Sequence, residues 1–343
     1  MPPITNARVL FASVPKDFPV PGETTVHDTA QQIDLASVAL HGGFLVKTLV
    51  LSIDPYMRGK MRAPGTTSYS PPYTLGAPLT GYGVGVVLRS EHADVAPGRY
   101  VYGAEMSHQE YVVLPGMRGL TFLEKDAQLP WTVFVGAAGM PGRTAYMGWM
   151  EFAHAKKGET AFVTAGAGPV GSLVIQMAKH DGLKVIASAG SDEKVAFLTA
   201  LGADVAFNYK TTDTRAVLAR EGPVDIYWDN VGGEVLEAAL DNAAVYARFL
   251  ECGMISGYNT GHQGIKNLYQ TYAKSLTLSG ILVLRLQATH EAAFWATVPR
   301  LLREGKLQYR EEVSTGLAAV GDAILRVQRG MNTGKAVVVV AEE

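Results

Sequence analysis

Gly166-Ala167-Gly168-Pro169-Val170-Gly171 is the segment whose residue types and spacing most directly suggest chemistry. It follows Thr160–Ala165, which reads as a buried strand, and opens Val170–Lys179, which reads as a helix. Glycines so placed permit a tight turn, let the backbone approach a pyrophosphate, and let the helix pack close to the sheet. The helix start adds unpaired N–H groups and a partial positive charge, both suited to phosphate oxygens. A G-x-G-x-x-G run alone is a weak signal. Between a strand and a helix it predicts a dinucleotide-binding turn at Gly166, Gly168, Pro169, Val170 and Gly171.

The next strand, Lys184–Ala189, bears on which dinucleotide. NAD-binding domains carry Asp or Glu on the ribose hydroxyls about 20 residues past the glycines. Here the strand ends Ala187-Ser188-Ala189-Gly190-Ser191, with no carboxylate at its tip. Asp192 and Glu193 fall in the first turn of the next helix, Asp192–Leu201, where acids complement the helix dipole. Lys194 follows. It suits a 2′-phosphate as a point charge, and it equally suits a solvated helix face; position alone leaves both open.

Other chemistries lack their residues. There is no H-E-x-x-H and no G-x-S-x-G, and the 8 histidines are dispersed. Zinc needs three or four converging ligands, so no metal site is expected. The only cysteine, Cys252, excludes an intramolecular disulfide; in Phe249-Leu250-Glu251-Cys252 it reads as an inert core thiol. A net charge of −2 with scattered Lys and Arg offers nothing to nucleic acid or an anionic membrane. No apolar run approaches the ~18 residues of a membrane span. Met1–Val20 lacks a signal pattern, so a cytoplasmic enzyme is expected.

The elements that must position these residues divide in two. At 343 residues the chain exceeds what one core usually supports. Up to about Lys125, short apolar runs such as Gly43–Lys47 and Gly83–Val87 alternate with Pro and Gly, a β texture. From Trp131 strands and helices alternate. Strands are expected at Val205–Asn208, Val224–Asp229, Phe249–Cys252 and Leu278–Val283, and helices at Glu234–Asn242, Asn267–Lys274 and Glu291–Arg303. Such alternation predicts an α/β fold with a parallel, doubly wound sheet. The β texture then returns and ends in Lys335–Val340, which is expected to fold back onto the N-terminal domain.

Several further segments carry a family resemblance. They are Leu51–Gly59, Gly81–Gly85, Gly139–Gly142 with Thr144–Tyr146, Ala189–Lys194, Phe207–Lys210, Asp229–Gly233, Gly253–Asn259 and Asn332–Lys335. In this order and nearly end to end, the chain resembles the zinc-independent medium-chain dehydrogenase/reductases. Within them it is similar to the branch of prostaglandin and leukotriene reductases and alkenal double-bond reductases. The resemblance implies a Rossmann domain at 128–307 and a GroES-like, mainly β domain at 1–127 completed by 308–343. It also implies a homodimer, for which the run Leu278–Val283 offers an edge.

By the same resemblance, the cofactor is NADPH. Gly168–Gly171 meet its pyrophosphate and Lys194 and Tyr209 its 2′-phosphate. Asn230, Cys252, Gly253, Ile255, Ser256, Tyr258, the strand backbone Ile281–Val283 and Asn332 line the rest. Tyr56 and Tyr258 face a small enal or enone and act in catalysis. A zinc-independent quinone oxidoreductase and a non-catalytic NADPH-binding protein are the alternatives. The chain departs from the family pattern at Gly166, Pro169, Gly257 and Leu284-Arg285-Leu286, which bears on substrate preference.

Overall fold

The computed structural model describes residues 2–343, which divide into two compact units. One comprises residues up to Gly136 together with Glu311–Glu343; the other is Ala137–Arg310. The chain begins with β1 (Ile4–Thr5), β2 (Arg8–Phe11), β3 (Thr25–Asp28), β4 (Gln32–Ile33), β5 (Phe44–Ser52), α1 (Met57–Lys60), β6 (Thr80–Ser90), β7 (Tyr100–Ser107), β8 (Tyr111–Leu114) and β9 (Leu120–Leu123). Next come α2 (Met140–Phe152), β10 (Thr160–Val163), α3 (Pro169–His180), β11 (Lys184–Ala189), α4 (Asp192–Ala200), β12 (Val205–Asn208), α5 (Thr214–Glu221), β13 (Val224–Asp229) and α6 (Gly233–Asp241). It continues through β14 (Ala243–Glu251), α7 (Gln270–Ala273), β15 (Thr277–Gly280) and α8 (Val283–Arg303). It closes with β16 (Glu311–Thr315), α9 (Val320–Gln328) and β17 (Lys335–Val339).

The first unit is mainly β. Its seven-stranded sheet runs β16-β17-β5-β6-β7-β9, with β8 pairing β5, and only β16 and β17 are parallel. Phe44, Val46, Leu51, Met57, Val101 and Val338 sit in its core. The tail does not stay β, as its texture suggested. Val320, Ala323, Ile324 and Val327 are buried at i, i+3, i+4 and i+7, the face of helix α9.

The second unit is a doubly wound α/β sheet in the order β12-β11-β10-β13-β14-β15, with every pairing parallel. Phe162, Ile186, Tyr227 and Phe249 are fully buried in successive strands, as strands covered on both faces require. This is the Rossmann order, and its switch point lies between β10 and β13.

The cuts between the units fall at Gly136/Ala137 and Arg310/Glu311, beyond the boundaries at 127/128 and 307/308 expected from sequence. The turn Trp131–Val135 packs on β5, β6 and β17, with Trp131 against Tyr100 at 4.4 Å between ring centroids. Gln308 bonds to Gln176, and Arg310 covers the Phe197 ring at 4.3 Å, so both stay with the second unit.

Three expected elements are corrected. The helix over Asn267–Lys274 shrinks to Gln270–Ala273. The strand over Leu278–Val283 stops at Gly280, and Val283 begins α8 rather than extending a strand. That helix therefore starts eight residues before Glu291 (291 − 283) and buries Val283, Leu286, Phe294, Val298 and Leu302 along one side. An apolar Ile281–Leu284 run satisfies either period, and the spacing decides only when read through to Leu302. Helices α2 and α5 were not anticipated. Among the described residues, no helix is long and apolar enough to cross a membrane.

Candidate active site

In a parallel sheet all strand C-termini share one edge, and ligands bind in the crevice outside it. The expected cofactor residues of the second unit follow those ends. Gly166 comes after β10, Lys194 after β11, Tyr209 after β12, Asn230 after β13, Cys252 after β14 and Ile281 after β15.

The turn after β10 is sharply constrained. Ala165 takes a φ of 47°, and Gly168 N–H donates to its carbonyl at 3.0 Å. Gly166 N–H donates to Ser188 O at 2.9 Å, tying the turn to β11. A Cβ on Gly171 would lie 2.7 Å from both Ala165 O and Gly166 Cα, so only glycine lets α3 start this close to the strand. Gly168 caps the 12-residue helix without a side-chain bond, and Pro169 opens it. The first-turn N–H groups, Val170 and Gly171 among them, are thus left for a ligand rather than a side chain. This cradle fits a pyrophosphate.

Beyond β11, Asp192 and Glu193 occupy the first turn of α4 and are engaged there. Asp192 accepts from Asn208 Nδ2 at 2.9 Å, and Glu193 faces Arg310 at 3.7 Å. Ser191 caps the helix by accepting from Lys194 N–H at 3.4 Å. Tyr209 is half exposed, and its hydroxyl lies 2.9 Å from where a Cβ on Gly190 would project. β11 itself ends in Ala189, Lys194 lies in the first turn of the following helix, and Tyr209 stands beside Gly190.

The turns after β13 and β14 are sewn together. Asn230 donates its N–H to Thr164 Oγ1 at 2.8 Å and its side-chain amide to Thr164 O at 2.7 Å. The Asp229 carbonyl accepts from Cys252 and Gly253 N–H, the Asn230 carbonyl from Ile255 N–H, and the Val231 carbonyl from Ser256. The Asp229 carboxylate accepts from Val231 N–H, Gly232 N–H and the Tyr227 hydroxyl at 2.8–2.9 Å, which shapes the glycine turn. Tyr258 places its hydroxyl 2.9 Å from where a Cβ on Gly253 would sit. Burial pushes the Cys252 thiol up to about 12, so it remains a thiol. At β15 the geometry is corrected: Ile281 N–H still donates to Glu251 O at 2.9 Å, whereas Val283 is helical.

Within the first unit, Tyr56 sits on the turn Asp54–Met57 that leads into α1. Asp54 is buried and accepts from Ser52 Oγ at 2.5 Å and from the Lys335 ammonium at 3.1 Å. Lys335 also donates to the carbonyls of Ile53 and Ala336, and Gln328 donates to Pro55 O at 3.0 Å. The turn is therefore pinned from β17 and α9. Burial, and next the Asp54 charge, push the Tyr56 phenol well above its usual range, so it stays protonated. Asn332, in the same unit, donates to Gly334 O at 2.7 Å.

Residues 169–298 match the family described as zinc-binding dehydrogenase, and residues 9–121 the N-terminal domain of oxidoreductase. The chain is 40% identical to (+)-pulegone reductase of Mentha piperita, over 88% of this chain and 89% of that one. It is 37% identical to the NADP(+)-dependent 2-alkenal reductase of Nicotiana tabacum, over 99% of each. The solved structure of CurA from Vibrio vulnificus in complex with NADPH superposes with a TM-score of 0.89 at 31% identity, covering 98% of this chain and 100% of that one. The chain belongs to the zinc-independent medium-chain dehydrogenase/reductases, in their alkenal-reductase branch.

For a medium-chain reductase of this branch, sequence reasoning overlooked four side chains of note. Thr164 holds Asn230, Asp229 and Glu251 form a buried carboxyl pair at registered positions of β13 and β14, and His108 is buried near Tyr56. Asp229 was visible as the acid closing a buried strand before Gly232-Gly233. The other three become neighbours only through strand pairing. Among the described residues, no group of three or more His, Cys, Asp or Glu side chains is arranged to hold a metal ion.

Proposed function

We propose that this protein is a metal-free ene-reductase that uses NADPH to saturate the conjugated double bond of enals or enones, with Tyr56 and Tyr258 holding the enolate oxygen. It is an oxidoreductase acting on C=C bonds, and NADPH is its cofactor. The first-turn N–H groups of α3 hold the pyrophosphate, and Lys194 with Tyr209 the 2′-phosphate. Asn230, Cys252, Gly253, Ile255, Ser256, Ile281, Val283 and Asn332 line the remainder. Bound there, NADPH supplies a hydride to the β-carbon of the substrate.

The observation that carries the reading is the similarity to (+)-pulegone reductase and 2-alkenal reductase, and Tyr56 suits the chemistry. Reducing a ketone directly puts negative charge on oxygen at once, where many dehydrogenases use a metal Lewis acid. Conjugate addition spreads that charge over an enolate, which neutral hydrogen-bond donors aimed at its oxygen stabilise. A phenol is protonated at neutral pH even at its ordinary value of about 10, and burial of Tyr56 shifts it further in that direction. Tyr258, in a turn fastened to Asn230 and Val231, supplies the second. Solvent returns the proton to the α-carbon. We assign the protein to a homodimer on the same family grounds.

Loss of nicotinamide absorbance with a panel of enones and quinones, followed by product analysis, tests this. Saturated ketone is expected from enones, and Tyr258→Phe should lower turnover about 10- to 1,000-fold with NADPH affinity little changed. Allylic alcohol as the product would reject the mechanism. Turnover of quinones alone would favour a quinone reductase, and no turnover a non-catalytic NADPH-binding protein.

A further inference from the structure

His108 follows β7 and is fully buried. Its backbone is locked, the N–H donating to Leu79 O and the carbonyl accepting from Val9 N–H, each at 2.8 Å. Yet neither ring nitrogen has a hydrogen-bond partner among the described residues, although buried polar atoms are nearly always paired. The Nε2 atom borders Gly81: a Cβ there would sit 3.3 Å from Nε2 and 3.6 Å from the Tyr56 hydroxyl oxygen. Gly81 therefore leaves both polar atoms within reach of one small volume, and a side chain there would press on Nε2. Lys60, whose ammonium donates to Thr80 Oγ1 at 3.0 Å, opposes a second positive charge nearby. Burial first, and Lys60 second, hold His108 down to about 3, so its imidazole is neutral, with one N–H and one bare lone pair.

We propose that His108 is the positioning residue of Tyr56: its Nε2–H donates to the Tyr56 hydroxyl oxygen, so that the phenol proton is turned toward the carbonyl oxygen of the substrate. The inference rests on the enone-reductase reading above and adds a residue that does not itself touch substrate. A phenol oxygen donates once and accepts besides, so a donor behind it fixes the rotor and polarises the O–H bond. That strengthens donation where negative charge develops. Hydrogen bonds of this kind tighten when substrate binds, which reconciles the role with unpartnered ring atoms beforehand.

A double-mutant cycle decides between this role and simple packing. His108→Phe should lower kcat/KM for an enone about 10-fold or more, with the NADPH dissociation constant unchanged. In a Tyr56→Phe background the same change should have no further effect, and His108→Gln, which keeps an N–H, should recover most of the loss. Equal losses in both backgrounds, or none with Tyr56 present, would overturn the assignment. Should His108→Phe not fold, 15N-histidine spectra of the wild-type protein with NADP+ serve instead. A proton on Nε2 that shifts when a saturated ketone is added supports the role, and a proton on Nδ1 overturns it. Failure of the wild-type protein to reduce any enone would instead reject the parent reading, while the tautomer still tests His108.

Discussion

Lys194 sits in the first turn of α4, whose cap and acids are already engaged within the second unit. Its expected ligand, the 2′-phosphate, exists only on NADPH. Lys194→Ala should therefore raise KM for NADPH about 10- to 100-fold, the worth of one charge-assisted bond, and leave that for NADH nearly unchanged. Equal weakening of both cofactors would refute the assignment. The Asp229–Glu251 pair makes a second residue-scale prediction. Burial first, and then the Asp229 charge, push Glu251 from an ordinary 4.5 up to about 8; Tyr227 and Cys252 stand beside it as uncharged groups. A raised acid stabilises the fold fully below its unfolded value, and that contribution is lost as pH climbs to the folded one. Stability should accordingly fall between about pH 4.5 and 8, and Glu251→Gln should flatten the fall. His108 acts in the opposite sense, its contribution present above 6.5 and lost as pH drops toward about 3. Thermal midpoints across pH, with and without Glu251→Gln, measure both; an unchanged slope would show that Glu251 is not the group that titrates there.

Between elements, the decisive contact is the Lys335 ammonium, which ties β17 to the end of β5 and to the Tyr56 turn. It is almost wholly buried, and its acceptors are the carbonyls of Ile53 and Ala336 and the Asp54 carboxylate. Removing one partner of a buried ion pair leaves the other charge uncompensated, at a cost of about 3–5 kcal/mol. Lys335→Met should lower stability by that order in denaturant unfolding. A loss under about 1 kcal/mol, the value of an exposed pair, would show that water reaches Asp54.

For the molecule as a whole, the open question is assembly. β15 ends the parallel sheet, and among the described residues no strand pairs with its outer edge. Large apolar side chains are exposed in the same unit, including Leu278 on β15, Tyr272 at 79% and Tyr246 at 75%. An unpaired edge with apolar surface is a template for pairing with a second copy. Sedimentation should accordingly give twice the 36.7 kDa chain mass. A single-chain mass across micromolar concentrations would reject the homodimer.

The sequence by itself determined the parallel sheet and the cofactor turn, because both depend on local order. Strand, glycine turn and helix lie within Thr160–His180, and alternation fixes a crossover without knowledge of its neighbours. The bare tip of β11 was equally local. The start of α8 was not, since an apolar run at Ile281–Leu284 fits a strand or a helix until packing selects one. Nor was α9, whose buried face is defined by the sheet it covers. Only the tertiary structure brought Lys335 to Asp54, Glu251 to Asp229, and His108 and Tyr56 both beside Gly81. Each of these is a buried polar neighbour, and what a buried polar group meets is decided by strand register and loop closure, which join residues far apart in sequence and so lie beyond a local reading of type and spacing.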